Sequence, residues 1–149
     1  SFKKDSLKKH FPLNFHLINE YELPENSFEV NKFKYNVPCV FQIWIKKNVL
    51  RKLPTKLKPL EFKFVKKNLN HDLSFRRVGV YAGKIDTNTN DKSPQSHYFI
   101  KFEKEINNNF LKELSEIKFE SKNNTVGPKS ISKQELIKEF NFIINKFKL

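Results

Sequence analysis

Glu61 and Lys63 stand in the E-x-K spacing that, on a strand, sets a carboxylate and an ammonium on one face beside a metal ion, the arrangement that nuclease chemistry uses. No Asp lies at a fitting distance upstream, and such a tripeptide arises easily in a Lys-rich chain. The four histidines, His10, His16, His71 and His97, show no ligand spacing such as H-x-x-x-H. Cys39 is the only cysteine, which rules out an intrachain disulfide and a thiolate-rich zinc site; inside an apolar stretch it reads as a small core residue. The three glycines, Gly79, Gly83 and Gly127, form no G-x-G turn opening a helix, so no dinucleotide-type cradle is expected.

Cationic residues carry more of the chemistry. Between Lys46 and Lys67 nine basic residues, Lys46, Lys47, Arg51, Lys52, Lys56, Lys58, Lys63, Lys66 and Lys67, face a single acid, Glu61. Such a run suits a phosphate backbone, with each Lys as a point charge and Arg51 as a fork, and equally suits a solvated linker. Arg76 and Arg77 are adjacent, so on a strand they point to opposite faces, one suited to phosphate and the other to an internal carboxylate. With Lys46, Lys47, Arg51, Lys52, Lys56, Lys58 and Lys84 they make up the nine candidate nucleic-acid contacts. Tyr81, Tyr98 and Phe99 are either base-stacking rings or core. GPKSIS, Gly127–Ser132, leads into a helix whose amino end is suited to phosphate, although its capping box already uses two of the donors.

The elements that must position these residues follow from period and punctuation. Ser1–Phe11 reads as a short helix closed by Pro12, and Leu13–Leu17 alternates as a half-buried strand. LPENSF is turn-prone. Val37–Ile45 is β-branched and aromatic on both faces, which predicts a strand that is central or covered on both sides. Pro54 and Pro59 break the basic run into an exposed linker ending in a strand at Glu61–Val65. Arg76–Ile85 and His97–Glu103 are predicted to be antiparallel neighbours separated by the polar loop DTNTNDKSPQS. Asn108–Lys118 has helical spacing, and a final helix follows, capped by Ser132 and Glu135, with Leu136, Phe140, Ile143, Ile144 and Phe147 as its apolar stripe.

The chain has 149 residues, 38% of them hydrophobic, with 16 Phe, enough for one domain's core. A net charge of +13 points to a polyanionic partner, nucleic acid first and an acidic protein second. AT-rich codon usage writes Lys and Asn at unconstrained surface positions and supplies the competing explanation. No apolar stretch reaches the roughly 18–20 residues that span a bilayer, and the first residues lack a signal peptide's apolar core. No membrane partner is expected, and the single cysteine, Cys39, points to an intracellular location. The chain contains no Met, in keeping with removal of an initiator ahead of Ser1 or with a fragment.

Six blocks in order, SFKKDSL (Ser1–Leu7), LNFHL (Leu13–Leu17), VPCVFQIW (Val37–Trp44), FRRVG (Phe75–Gly79), AGKI (Ala82–Ile85) and SHYFIKF (Ser96–Phe102), followed by SISKQEL (Ser130–Leu136), resemble the carboxyl-terminal part of a phage and bacterial family of adenine-amino DNA methyltransferases. The resemblance implies that Ser1–Phe11 is the helix after the fifth strand of a class I sheet. Leu13–Glu22 would be the sixth strand and Val37–Ile45 the seventh. Residues 1–47 would then be a sheet remnant, and residues 48–149 a basic linker and extension module packed with it as one unit. Such enzymes bind S-adenosylmethionine on a glycine-rich turn and hold the target amine with an NPPF or NPPY motif. Neither occurs here, so no cofactor and no catalytic or metal site is expected, and methylation would need a companion chain.

These readings predict an α+β fold, with a mostly antiparallel sheet and flanking helices. They predict a non-catalytic nucleic-acid-binding module, the DNA-recognition subunit of a split or degenerate methyltransferase. The alternative is a structural or assembly protein, a methyltransferase relic within a larger particle. In either case an open sheet edge calls for a protein partner to cover it.

Overall fold

The computed structural model of the protein describes residues 8–37, 39–119 and 129–148. The fold is α+β: every strand pairing among the described residues is antiparallel, and two helices accompany the sheets. The described residues divide into two compact units, the first running to Thr55 and the second starting at Lys56. The basic run is therefore shared between them.

In the first unit β1 (Phe15–Glu22) pairs with β4 (Val40–Lys46), with a register shift between Leu17 and Asn19. β4 differs from expectation. It pairs with β1 alone, in a two-stranded sheet, and Phe41, Ile43 and Ile45 are 54%, 38% and 45% exposed. The other face is covered because Trp44 lies under Phe11, with ring centroids 4.4 Å apart. A two-stranded sheet has too few neighbours to bury both faces of a strand, however apolar its residues. The first seven residues of the expected Ser1–Phe11 helix lie outside the described residues; the Phe11 N–H donates to the Lys8 carbonyl (3.2 Å) just before Pro12.

A hairpin, β2 (Phe28–Val30) with β3 (Phe33–Tyr35), forms beyond the turn-prone LPENSF. Asn31 and Lys32 connect the strands, both at positive φ (52° and 68°), as a type I′ turn requires. Phe-Glu-Val and Phe-Lys-Tyr alternate on either side of this Asn-led pair, a local hairpin signal within the sequence itself.

The second unit holds the core. β5 (Phe62–Val65), β6 (Leu73–Arg76), β7 (Ile85–Asp86) and β8 (His97–Phe102) form a four-stranded sheet in the order β5-β8-β6-β7. The expected antiparallel pairing of Arg76–Ile85 with His97–Glu103 is met only by Arg76 opposite His97: β8 pairs with Leu73–Arg76, Ile85 pairs back onto β6, and Arg76–Ile85 is not one strand. β6 ends at Arg76, and the chain bends through Gly79 and Gly83, at φ +89° and +103°, before rejoining as β7. Backbone bonds from Gly83 N–H to Arg76 O and from Arg76 N–H to Lys84 O, both 2.8 Å, close the bend. At Gly83 an added Cβ would be strained by its φ and would also meet the Phe119 ring at 3.5 Å.

α1 (Asn108–Ser115) is capped by Asn107 and stops before the expected Lys118, with Glu116 as its carboxyl-terminal cap. α2 (Lys133–Phe147) begins at Ser132 with the expected reciprocal capping box to Glu135. Its buried stripe of Leu136, Ile137, Phe140, Ile143 and Ile144 covers a sheet face carrying Phe62, Leu73, Phe75, Ile100 and Phe102. Phe140 lies 5.6 Å from Phe62 and 6.0 Å from Phe75, and Phe110 of α1 lies 5.4 Å from Phe102. Each such buried side chain contributes roughly 1.5–3 kcal/mol, with about 0.5–1.5 kcal/mol more for a well-oriented ring pair.

The segment at the start of this unit is not a free linker. Gln134 exchanges two hydrogen bonds with the backbone of Leu57, and Asn141 accepts from Leu60 N–H and donates to the Lys58 carbonyl, all at 2.8–3.0 Å. Seven residues apart on α2, the two amides fall on one helix face and clip residues 57–60 along it.

Candidate nucleic-acid interface

The nine basic residues singled out from the sequence fall in both units. In the first, Lys46, Lys47 and Lys52 are exposed. Arg51 is half-buried: its Nη2 donates to the carbonyls of Phe11 (2.8 Å) and Lys8 (3.2 Å), and its guanidinium lies 5.2 Å from the Trp44 ring centroid. That fork is engaged by its own unit. In the second unit Lys56 and Lys58 project from the clipped segment, and exposed Lys84 pairs with Asp86 at 3.5 Å.

Arg76 and Arg77 are each half-buried and hydrogen-bonded to a backbone carbonyl. Arg76 Nε donates to Val78 O (3.1 Å), and Arg77 Nη2 to Gln95 O (2.6 Å). Both also lie against tyrosines, Arg76 with its Cζ 6.0 Å from Tyr81 and Arg77 5.6 Å from Tyr98. No carboxylate is the partner of either among the described residues, so the expected split into one phosphate-facing and one carboxylate-facing arginine is absent.

The residues that do come together lie where β5 ends and β8 begins. An open cleft of about 460 Å³ is lined there by Phe64–Asn68, Pro94, His97–Phe99 and Lys133. Its formation follows from register. Phe64 faces Ile100 across the ladder, so Tyr98 lies diagonally beside it on the same face, with ring centroids 5.5 Å apart. The segment leading into α2 is tied to the β6–β7 bend, with Ile131 N–H donating to Arg77 O (2.8 Å) and Gly79 N–H to Lys129 O (2.9 Å). The first residue of α2, Lys133, is thereby set over the rings, its Nζ 4.7 Å from the Phe64 centroid and 5.7 Å from that of Tyr98. Lys133 is exposed and has no carboxylate partner among the described residues. An exposed cation–π pair holds an ammonium with only about 0.5–1 kcal/mol.

His97 closes one side. It is 8% exposed, and burial pushes its pKa below the ordinary histidine value; the Ser93 carbonyl opposes the shift, Arg76 and Lys92 reinforce it, and Asp86 opposes it. Its Nδ1 lies 2.9 Å from Ser96 Oγ and 3.2 Å from Ser93 O. Lys67 is spoken for: its Nζ donates to the carbonyls of Asn90 and Lys92, both at 2.8 Å. Of the three aromatics named from the sequence, Tyr98 lies at the cleft, Tyr81 is 68% exposed on the bend, and Phe99 is 3% exposed, too buried to present a stacking face. Phe64, His97 and Lys133 carried no signal of their own, because only the register of β5 against β8 and the docking of α2 bring them together.

Glu61 and Lys63 do not share a strand face. Glu61 precedes β5 with a left-handed backbone (φ 53°) and lies 3.6 Å from Lys104. Among the described residues no three His, Cys, Asp or Glu side chains gather to hold a metal ion, and no helix is long and apolar enough to cross a membrane. Gly79 and Gly83 belong to the β6–β7 bend, and neither opens a helix.

No protein-family model, no curated protein and no solved structure matches this chain.

Proposed function

We propose that the protein is a non-catalytic nucleic-acid-binding module acting inside the cell, the recognition part of a split or degenerate DNA adenine methyltransferase. The observation carrying this reading is the aromatic cleft of the second unit, where Lys133 rests on Phe64 and Tyr98 and Arg77 lies against Tyr98. Cations over rings beside an apolar cleft, in a chain of net charge +13, offer both the charge for phosphates and the faces for bases. Exposed Lys56 and Lys58 add positive charge to the same unit, as does Lys84, which is paired with Asp86. The sequence blocks that resemble the methyltransferase extension support the choice of DNA. The reading gives the chain no methyl-transfer step of its own; that chemistry would belong to a companion chain.

The test is a salt titration of the affinity for a fluorescently labelled oligonucleotide. With about four phosphates contacted, affinity should fall about a hundredfold between 50 and 200 mM salt, following a slope near −0.9 per phosphate for duplex and −0.7 for a single strand. Affinity that is absent at low salt, or indifferent to salt, would remove the reading.

A second reading, an assembly protein, draws on the first unit. Phe41, Ile43 and Ile45 of β4 are exposed on one sheet face, and Phe33 and Tyr35 of the hairpin are 73% and 58% exposed. Contiguous apolar faces of this kind suit a protein partner. The native mass of the complex holding this chain separates the two: a companion with cofactor and catalytic motifs speaks for the first, an assembly of many unrelated proteins for the second.

A further inference from the structure

Resting on the nucleic-acid reading above, we infer that the cleft at the β5–β8 end is a slot for one unstacked base of single-stranded nucleic acid, with Lys133 moving from the rings to that nucleotide's phosphate. Volume is the first argument. At about 460 Å³ the cleft lies within the roughly 300–1,000 Å³ range of small-molecule sites, large enough for one nucleotide and far too small for a duplex. A paired base keeps both faces in the stack, so only a single strand or an extruded base can lay a face on one of the two rings, Phe64 or Tyr98, which stand at 75° to each other, and its edge against the other.

Chemistry divides the cleft in the way a nucleotide is divided. Phe64, Val65, Pro94, Tyr98 and Phe99 give it apolar walls, while exposed Lys66 and Lys133 supply cations at the same opening. Among the described residues Lys133 has no carboxylate to leave, only contacts with two rings, and a phosphate oxygen is the stronger partner for an ammonium. When it swings to phosphate, the ring faces it covered are the ones a base needs. Arg77 does not line the cleft, but, fixed by its bond to the Gln95 carbonyl, it stays against Tyr98 and adds positive charge next to that wall through the exchange.

The experiment irradiates the full chain with a 12-nucleotide single strand carrying one 5-iodouracil, which couples to stacked aromatic and imidazole rings, and maps the adduct by mass spectrometry. The expected adduct is on Phe64, Tyr98 or His97. Lys133→Ala, at an exposed position, should lower single-strand affinity about fivefold near 0.1 M salt, the loss of one phosphate contact at a slope of about −0.7, and shift the melting temperature by no more than a few degrees. Salt-dependent binding with adducts only elsewhere, or with Lys133→Ala unchanged, would overturn the slot and leave the phosphate-binding reading standing. Absence of any oligonucleotide binding would overturn both.

Discussion

Arg51 and Lys133 are both cations against aromatic rings, yet their hydrogen bonds give them opposite uses. Arg51 Nη2 donates to two carbonyls of the turn before Pro12 while the guanidinium lies against the Trp44 ring, a combination that suits the flat, delocalised cation of Arg better than the point charge of Lys. Arg51→Ala is therefore expected to cost about 1.5–3 kcal/mol of stability, the scale of a charged hydrogen bond, and Arg51→Lys should not restore it. Chemical denaturation of the two variants beside the parent checks this; parent-like stability of Arg51→Ala would show the fork to be dispensable. His97 supplies a second prediction. Burial lowers its folded pKa, so the unfolded chain binds the proton more readily, and stability should rise with pH across this window. The contribution of neutral His97 is fully present above the unfolded value of about 6.5 and is lost as pH falls from there through the folded value. In His97→Gln that slope between pH 7 and pH 5 should flatten, as measured by urea midpoints at each pH; an unchanged slope would assign it to other groups.

At the scale of elements, α2 is legible in the sequence because its signals are local. Ser132 and Glu135 sit at capping-box spacing, and the apolar residues from Leu136 to Ile144 keep the helical period. Ser132→Ala should destabilise the protein by about 1 kcal/mol, seen as a lower denaturant midpoint at unchanged slope. A midpoint that stays put would mean that docking on the sheet, not the cap, fixes where the helix starts. β8 is legible for a related reason, a short run of aromatic and β-branched residues after a turn-rich loop, although its burial does not alternate: Phe99 on one face and Ile100 and Phe102 on the other are all buried. The failures came where one local signal outvoted another. Alternation across Arg76–Ile85 hid a bend that only Gly79 and Gly83 mark, and the prolines near Lys56 suggested a loose linker where Gln134 and Asn141 clip the chain to α2. The cleft was illegible in principle. Phe64, Tyr98 and Lys133 come from three elements, and nothing in the composition of any one of them specifies the β5–β8 register that makes neighbours of the first two.

At the scale of the whole molecule, burial is distributed unevenly between the two units. From Lys56 onward, a four-stranded sheet, two helices and a cluster of Phe rings enclose side chains that are fully buried, among them Phe75, Phe110, Phe140 and Leu136. Up to Thr55 there are two separate two-stranded sheets, and large apolar side chains stand open on both. Two-stranded sheets are marginal in water, whereas three or more strands packed on a helix meet the usual requirement for independent stability. The fragment 56–149 is therefore expected to fold without the first unit, with a single cooperative thermal transition and its slowest amide exchange in β8 and α2, where the core is densest. The fragment 1–55 should show neither. Because the cleft, Lys133 and Arg77 all lie in the second unit, fragment 56–149 should also keep its salt-dependent oligonucleotide binding, with the affinity reduced only by the loss of whatever Lys46, Lys47 and Lys52 add. A fragment 56–149 that melts without cooperativity would show that this core depends on the first unit. One that folds but binds no oligonucleotide would move the nucleic-acid surface to the first unit and return the cations at the cleft to a purely structural role.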